Sequence, residues 1–250
     1  MKALKTESLQ PLLIDALNFK RFMGRYYLVG ACSKADSNGH NCKVLTIADA
    51  STEMRVFCNN EQLMQIELIP DSVIHVEAAL MQNCGSAYYL CKNLQRIDGH
   101  QTQGLDLACL PRIKCPLPEV FDAFLVFIGR INNPLLKQFL LKVLLQQEVA
   151  IRYLQCPASI NHHHNYPGGL IEHSVEMAWD IAGILDLSPL ERDIAVVSAL
   201  LHDIGKTKTF TPDGTRTAIG QLVDHQQLTL EICASALQKL ELSAPHIADL

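Results

Sequence analysis

The nine cysteines, at 32, 42, 58, 84, 91, 109, 115, 156 and 233, include no Cys-x-x-Cys pair. An odd count without paired spacing argues against a disulfide framework and against a zinc ribbon. It predicts reduced thiols that serve mostly as small core hydrophobes. No uninterrupted apolar run reaches the ~20 residues that a membrane helix needs. The opening Met1-Lys-Ala-Leu-Lys-Thr-Glu-Ser has no apolar h-region and no cleavage signature. A cytoplasmic protein with no membrane partner is therefore expected. An excess of basic residues is missing too. A net charge of −5 weighs against a chain that coats nucleic acid generally, while leaving room for a local basic groove. Internal repeats and low-complexity tracts are also lacking.

What is present is an ordinary globular composition, with 48% hydrophobic and 19% charged residues over 250 positions. That is enough for one large or two modest domains with real cores. The charge is uneven. Residues 20–98 carry 8 Lys/Arg against 8 Asp/Glu, whereas residues 119–250 carry 9 against 15. Cations offset carboxylates, so an acidic second half suits a metal-centred domain. The neutral first half is the better candidate for meeting a polyanion.

Local texture divides the chain in the same way. Residues 8–18 predict a short helix, with Pro11 tolerated only in its first turn. From Arg25 the pattern turns to strands, at 26–33, 42–48, 52–58, 72–81 and 87–97. Ser37-Asn-Gly39 and Asn83-Cys-Gly85 mark turns, and a short helix is expected within 59–67. Five strands with a helix between the third and fourth is the order of an OB-fold barrel. Gly99, Gly104, Pro111, Pro116 and Pro118 mark a linker. From Glu119 the apolar period is helical, with helices expected around Phe121–Ile128, Pro134–Leu145, Leu170–Leu185, Pro189–Asp203 (Ser188 as N-cap) and Gln221–Leu240. The predicted fold is thus multidomain α and β. An N-terminal extension (1–19), a five-stranded OB-fold barrel (20–98) and a linker (99–118) precede an all-α domain (119–250).

The chemistry-bearing residues gather in the helical half. Ser198-Ala-Leu-Leu-His-Asp-Ile-Gly-Lys-Thr207 sets His202 and Asp203 side by side at the end of an apolar helix. Gly168-Gly-Leu-Ile-Glu-His173 starts a second helix with a histidine, and Gly220-Gln-Leu-Val-Asp-His225 adds a third. Imidazole suits divalent transition ions, and the hard oxygens of Asp203 suit manganese, iron or magnesium and can bridge two of them. His173, His202, Asp203 and His225 are the candidate metal ligands, although a single histidine on an apolar helix is more often a packed core residue. Asp224, beside His225, is read as solvated. His163 and His164, from the triplet 162–164, are placed to meet a phosphate or a leaving group. Lys206 follows His202 by one helical turn and is the third candidate catalytic residue. The stretch Lys206 to Arg216 is cationic and rich in hydroxyls, so Lys208 and Arg216 are candidate phosphate contacts.

These segments resemble the HD superfamily. More closely, His163-His-Asn-Tyr-Pro-Gly-Gly-Leu-Ile-Glu-His173, Leu200-Leu-His-Asp-Ile-Gly-Lys206 and Gly220 to His225 look like the YhaM-type 3′–5′ exoribonucleases, in which an OB-fold precedes an HD domain. The resemblance covers roughly residues 20–250. It implies ligands at His173, His202 and Asp203, and a place for His225 at a second metal or at the phosphate. It also implies a divalent cofactor (manganese first, then iron, cobalt, nickel or magnesium) and nucleotide removal from a 3′ end. The stretch Cys156 to Gly169 is also similar to the HD-related domain of conjugative relaxase/helicase proteins, which keeps a DNA-transfer role open. HD domains complete their site with an aspartate on a later helix. The chain stops at Ser243 to Leu250, so the expectation is an HD-type domain without its C-terminal helices, with Asp249 a poor substitute.

An OB barrel grips single strands by stacking bases on aromatics while cations track phosphates. Tyr26, Tyr27, Phe57, Tyr88 and Tyr89 are the aromatic candidates, with Tyr26 and Tyr88 foremost. Lys34, Lys43, Arg55 and Lys92 are the cationic ones, Lys34 and Arg55 foremost. Strand alternation allows only about half of such residues to face outward. The expected function is a metal-dependent phosphodiesterase trimming single-stranded RNA, or DNA, from the 3′ end, with self-assembly into a dimer or ring compatible with the sequence. A non-catalytic OB–HD binding or conjugation module and a nucleotide phosphohydrolase are the alternatives.

Overall fold

The computed structural model describes residues 8–35, 39–83, 86–97, 107–184 and 186–248. The chain forms two compact units, residues 1–113 and 114–250.

The first unit is a closed barrel. β1 (Ser8–Leu9) lies parallel to the start of β2 (Arg21–Ala35), followed by β3 (Asn41–Ala48), β4 (Glu53–Cys58), β5 (Ser72–Asn83) and β6 (Ser86–Arg96). The order is β1-β2-β3-β4-β6-β5, and β2 also pairs with β5 to close the ring. One strand can serve both neighbours because β2 is 15 residues long and irregular between Leu28 and Gly30. Its first half lies antiparallel to β5 (Arg21↔Ala79 to Leu28↔Ser72), its second half to β3 (Leu28↔Ile47 to Ala35↔Asn41). α2 (Glu61–Met64), capped by Asn60, links the third and fourth barrel strands. This is the expected OB-fold order.

Alternation along the strands sends Leu28, Leu45, Ile47, Val56, Ile74, Val76 and Leu94 inward. α1 (Leu13–Ala16) adds Leu13 and Ala16 to that core. Buried Asp49 accepts from the Leu13 N–H (2.6 Å) and the Tyr89 hydroxyl donates to the Ala16 carbonyl (2.7 Å), tying α1 to the barrel. The N-terminal segment departs from the single helix expected over 8–18. Ser8–Leu9 is strand, and Pro11 precedes the helix rather than opening it. Of the turn residues, 37–38 and 84–85 lie outside the described residues, and Gly39 has φ +81.

The second unit is helical. It comprises α3 (Pro118–Arg130), α4 (Pro134–Leu144), α5 (Gln147–Gln155), α6 (Gly169–Ala182), α7 (Pro189–Leu201), α8 (Lys206–Thr209), α9 (Ala218–Leu222), α10 (His225–Ser243) and α11 (Pro245–Ala248). Phe121, Phe124, Leu140, Tyr153, Leu170, Ile171 and Leu200 are buried in it. Ser188 caps α7 in a complete capping box with Glu191, as its position before Pro189 predicts. Buried Asp193 on α7 accepts from the Asn132 and Asn133 N–H groups, fixing the start of α4. Of the described cysteines, only Cys32 is exposed. Among the described residues, no helix is long and apolar enough to cross a membrane.

Candidate metal centre

Three helix junctions meet at the site, and three glycines allow the approach. Gly168 takes φ +86 at the N-cap of α6, a conformation that disfavours side chains. At Gly169 an added Cβ would lie 2.1 Å from the His164 carbonyl oxygen, so the preceding loop rests directly on the helix. His173 follows in the first turns of α6. His202 terminates α7, and Asp203 is the next residue. An added Cβ at Gly205 would stand 1.9 Å from the His225 carbonyl oxygen. Only glycine there lets the start of α10 lie against the His202–Asp203 turn. The Gly205 N–H donates to Thr229 Oγ1 at 2.9 Å and holds α10 in place.

The side chains converge accordingly. His173 Nε2 lies 3.2 Å from His202 Nε2 and 3.6 Å from Asp203 Oδ2, and His202 Nε2 lies 3.2 Å from the same oxygen. His225 Nε2 approaches the other oxygen, Asp203 Oδ1, at 3.2 Å. Lys206 donates from Nζ to Asp203 Oδ2 at 2.6 Å. His202 Nδ1 is 2.8 Å from the Ala199 carbonyl, a contact that places its proton there and leaves Nε2 as a lone-pair donor.

Electrostatics follow from these contacts. Burial pushes His173 down from the ordinary histidine value, and neighbouring His202 adds to the effect. The hydrogen bond with Asp203 raises His202. Burial opposes ionisation of Asp203, but the hydrogen bonds from His202 and Lys206 outweigh it and hold the carboxyl well below its usual range. At neutral pH the carboxylate is charged and His173 is neutral, which is the state that binds cations.

Parts of the chain are similar to known proteins. Residues 170–249 match the HD domain family. The helical unit carries an HD domain. A TraI_2 helicase family model also matches residues 136–191. The chain is 24% identical to the 3′-5′ exoribonuclease YhaM of Bacillus subtilis over 228 residues, covering 89% of this chain and 72% of that protein. The Bacillus licheniformis protein of the same name is 23% identical, with 89% and 71% covered. A dihydroneopterin 2′,3′-cyclic phosphate phosphodiesterase from Methanocaldococcus jannaschii is 40% identical over 76 residues, covering 27% of this chain and 30% of that one. Among solved structures, the second OB-fold domain of replication protein A from Methanococcus maripaludis aligns at TM-score 0.25 and 17% identity, covering 34% of this chain and 87% of that one.

Around the His173/His202/Asp203 cluster, the remaining candidate residues separate. His163 is exposed, and among the described residues its side chain pairs with no other group. His164 is held by Glu172 and Glu176, at 3.2 Å and 3.0 Å. Lys208 pairs with Glu231 at 3.0 Å. Arg216 donates to the Gly220 carbonyl and stacks over Phe210. Both cations beyond Lys206 thus already serve the HD domain's own structure. The expected loop 206–216 is partly regular: α8 takes its first four residues and a Phe210↔Arg216 bridge closes the rest. Asp224, read as solvated, caps α10 by accepting from the Gln226 N–H and lies 3.2 Å from His225 Nδ1. Asp249 lies outside the described residues.

In the barrel, Tyr26 is not a stacking platform. It is fully buried, and its hydroxyl donates to the Pro11 carbonyl at 2.8 Å. Tyr27 and Tyr89 are buried as well. Lys43 is spent on the Met64 and Ile66 carbonyls. Tyr88 and Phe57 are partly exposed and meet edge to face at 5.5 Å between ring centroids. Arg55, two residues from Phe57 on the same face of β4, is exposed, as are Lys34 and Lys92. Sequence reasoning assigned no role to Glu172, Glu176 or Tyr166. The i, i+4 spacing of the two glutamates on either side of His173 was the available signal.

Proposed function

We propose that the chain is a metal-dependent phosphodiesterase that shortens single-stranded RNA, and secondarily DNA, from the 3′ end. The observation carrying this reading is the convergence of His173 Nε2, His202 Nε2 and Asp203 Oδ2 in an HD domain. The donor set fits a divalent ion. With the His202 proton directed at Ala199, two ring nitrogens face each other at 3.2 Å, an arrangement that needs a proton or a cation between them. Nitrogen and carboxylate donors together suit a first-row divalent ion, and the similarity to the 3′-5′ exoribonucleases puts manganese first, with iron, cobalt, nickel and magnesium behind it. Such an ion supplies Lewis-acid stabilisation of a phosphoryl group and acidifies water.

The chain's own residues do the rest. Asp203 offers one oxygen to the His173/His202 side and the other to His225, so a single carboxylate organises both sides of the centre. Lys206, held on Asp203, supplies fixed positive charge for a phosphate's non-bridging oxygens. Exposed His163 is available to the leaving group. On the barrel, Phe57 and Tyr88 offer stacking faces, and Arg55, Lys34 and Lys92 offer charge to a backbone. The choice of RNA and of the 3′ end is supported by the similarity to proteins named 3′-5′ exoribonucleases, which runs over 89% of the chain.

The test is the double substitution His202→Ala/Asp203→Ala, assayed with manganese on a 3′-labelled single-stranded oligoribonucleotide. Complete loss of cleavage with an unchanged circular dichroism spectrum is expected. Retained cleavage would sink the site assignment. Binding without cleavage by the wild-type chain, at every metal tried, would instead make it a binding module. The 40% identity of a shorter segment to a cyclic-phosphate phosphodiesterase favours a second reading, hydrolysis of a small cyclic phosphate ester. Faster turnover of a 2′,3′-cyclic nucleotide than of the oligonucleotide would select it.

A further inference from the structure

A second group of donors meets His173 from the loop that precedes α6. His164 Nε2 lies 3.0 Å from Glu176 Oε2, and His164 Nδ1 lies 3.2 Å from Glu172 Oε2. The Tyr166 hydroxyl also donates to Glu172, and that bond pushes its pKa up to about 12, fixing it as a neutral donor. Two carboxylates one turn apart on α6 therefore share a single imidazole. Among the described residues, no lysine or arginine pairs with either carboxylate, and His164 is their shared partner. His164, His173 and Glu176 each present a ligand atom, and all three atoms lie within 4.8 Å of one another.

The backbone holds His164 in this place. Its φ is +58, a left-handed conformation uncommon outside glycine. The conformation persists because the His164 carbonyl accepts from the Ala158 N–H at 2.9 Å and rests against Gly169. Residues kept in sparsely populated conformations by their surroundings cluster at ligand sites. Here the imposed conformation directs the imidazole between Glu172 and Glu176, beside His173, whose ring centroid is 5.6 Å away.

We propose that His164 and Glu176 form a second divalent-cation position beside the His173/His202/Asp203 centre, with His173 standing next to both. A neutral imidazole has one lone pair for a metal, so His173 serves one cation at a time. The second cation then depends on His164 and Glu176, with Glu172 and Tyr166 setting the orientation of His164, and it binds more weakly than the first. The mixed imidazole–carboxylate donors again select a first-row divalent ion over calcium. The inference rests on this donor set and not on nuclease activity.

The experiment is titration of the metal-stripped 250-residue chain with Mn2+ alone, following free Mn2+ by electron paramagnetic resonance. Wild type is expected to bind about two ions per chain in a tight and a weaker phase. Glu176→Gln should abolish the weaker phase and keep the tight one, while His202→Ala should abolish the tight phase. His164→Asn gives an independent check, because asparagine accepts a left-handed backbone, and it too should remove only the weaker phase. A single phase in wild type up to millimolar Mn2+ would overturn the proposal. So would a weaker phase that survives both Glu176→Gln and His164→Asn. Absence of cleavage alongside two-phase binding would count against the nuclease reading and leave the second position standing.

Discussion

At the scale of single residues, the centre is a balance of protons on Asp203, His202 and His173. Asp203 is held below the ordinary carboxylate range, so its contribution to stability is full above about pH 4. That contribution falls away as acid protonates the folded carboxyl. His202 has the opposite sign. Its pKa is raised by Asp203, so its imidazolium stabilises the metal-free chain below about pH 6.5 and loses that effect as pH climbs through the raised value. Metal binding needs His202 neutral and Asp203 charged, while His173, already lowered, imposes little further demand. Manganese affinity should therefore climb between pH 6 and 8, by at most about tenfold per unit while His202 is the group losing its proton. Calorimetric titration at three pH values measures this directly. A flat profile would show that His202 is not a ligand.

At the scale of elements, the site depends on how closely α10 approaches the turn after α7. Gly205→Ala places a methyl carbon on backbone atoms, 1.9 Å from the His225 carbonyl oxygen and 2.6 Å from the Thr229 nitrogen. No side-chain rotation can relieve that, so α10 must shift, and overpacking of this kind costs about 1–3 kcal/mol. A melting temperature lower by roughly 2–4 °C per kcal/mol is expected in a chain of this size. His225 should separate from Asp203 at the same time, weakening metal binding. An unaltered melting curve would mean that α10 does not rest on Gly205. The reach of sequence reasoning can be judged from the same elements. Ser188 before Pro189 announced the start of α7, and the strand order announced the barrel, because caps, turns and alternation are local. The break between α9 and α10 was not legible. An apolar period runs through 221–240, and only Asp224 capping a fresh helix puts His225 at its tip, facing Asp203. Tyr26 was misplaced for a similar reason. Alternation fixes that neighbours face oppositely, but not which face a long, irregular β2 turns inward. Glu172 and Glu176 gained meaning only once the loop had delivered His164 between them.

At the scale of the whole molecule, charge sets how a nucleic acid strand can be held. The chain carries −5 overall, and Lys43, Lys206, Lys208 and Arg216 are each engaged by the protein's own groups. Among the exposed barrel cations, Lys34, Arg55 and Lys92 are the ones assigned to the strand, and Arg55 lies two residues from Phe57 on β4. Three phosphate contacts on a single strand give a slope of roughly −2 for log affinity against log salt. Most of the remaining affinity must then come from stacking, worth about 1–3 kcal/mol per base. Fluorescence anisotropy with a labelled oligoribonucleotide, between 50 and 200 mM salt and without divalent metal, tests both parts at once. The shallow slope should persist in Phe57→Ala/Tyr88→Ala while affinity drops about tenfold or more. Arg55→Ala should do the converse, flattening the slope with a smaller loss. A slope steeper than about −5 would require more cations than these three, and the strand would have to run over a different face of the chain. Unchanged affinity in the aromatic double variant would show that the Phe57–Tyr88 edge-to-face pair packs the barrel surface and does not receive bases.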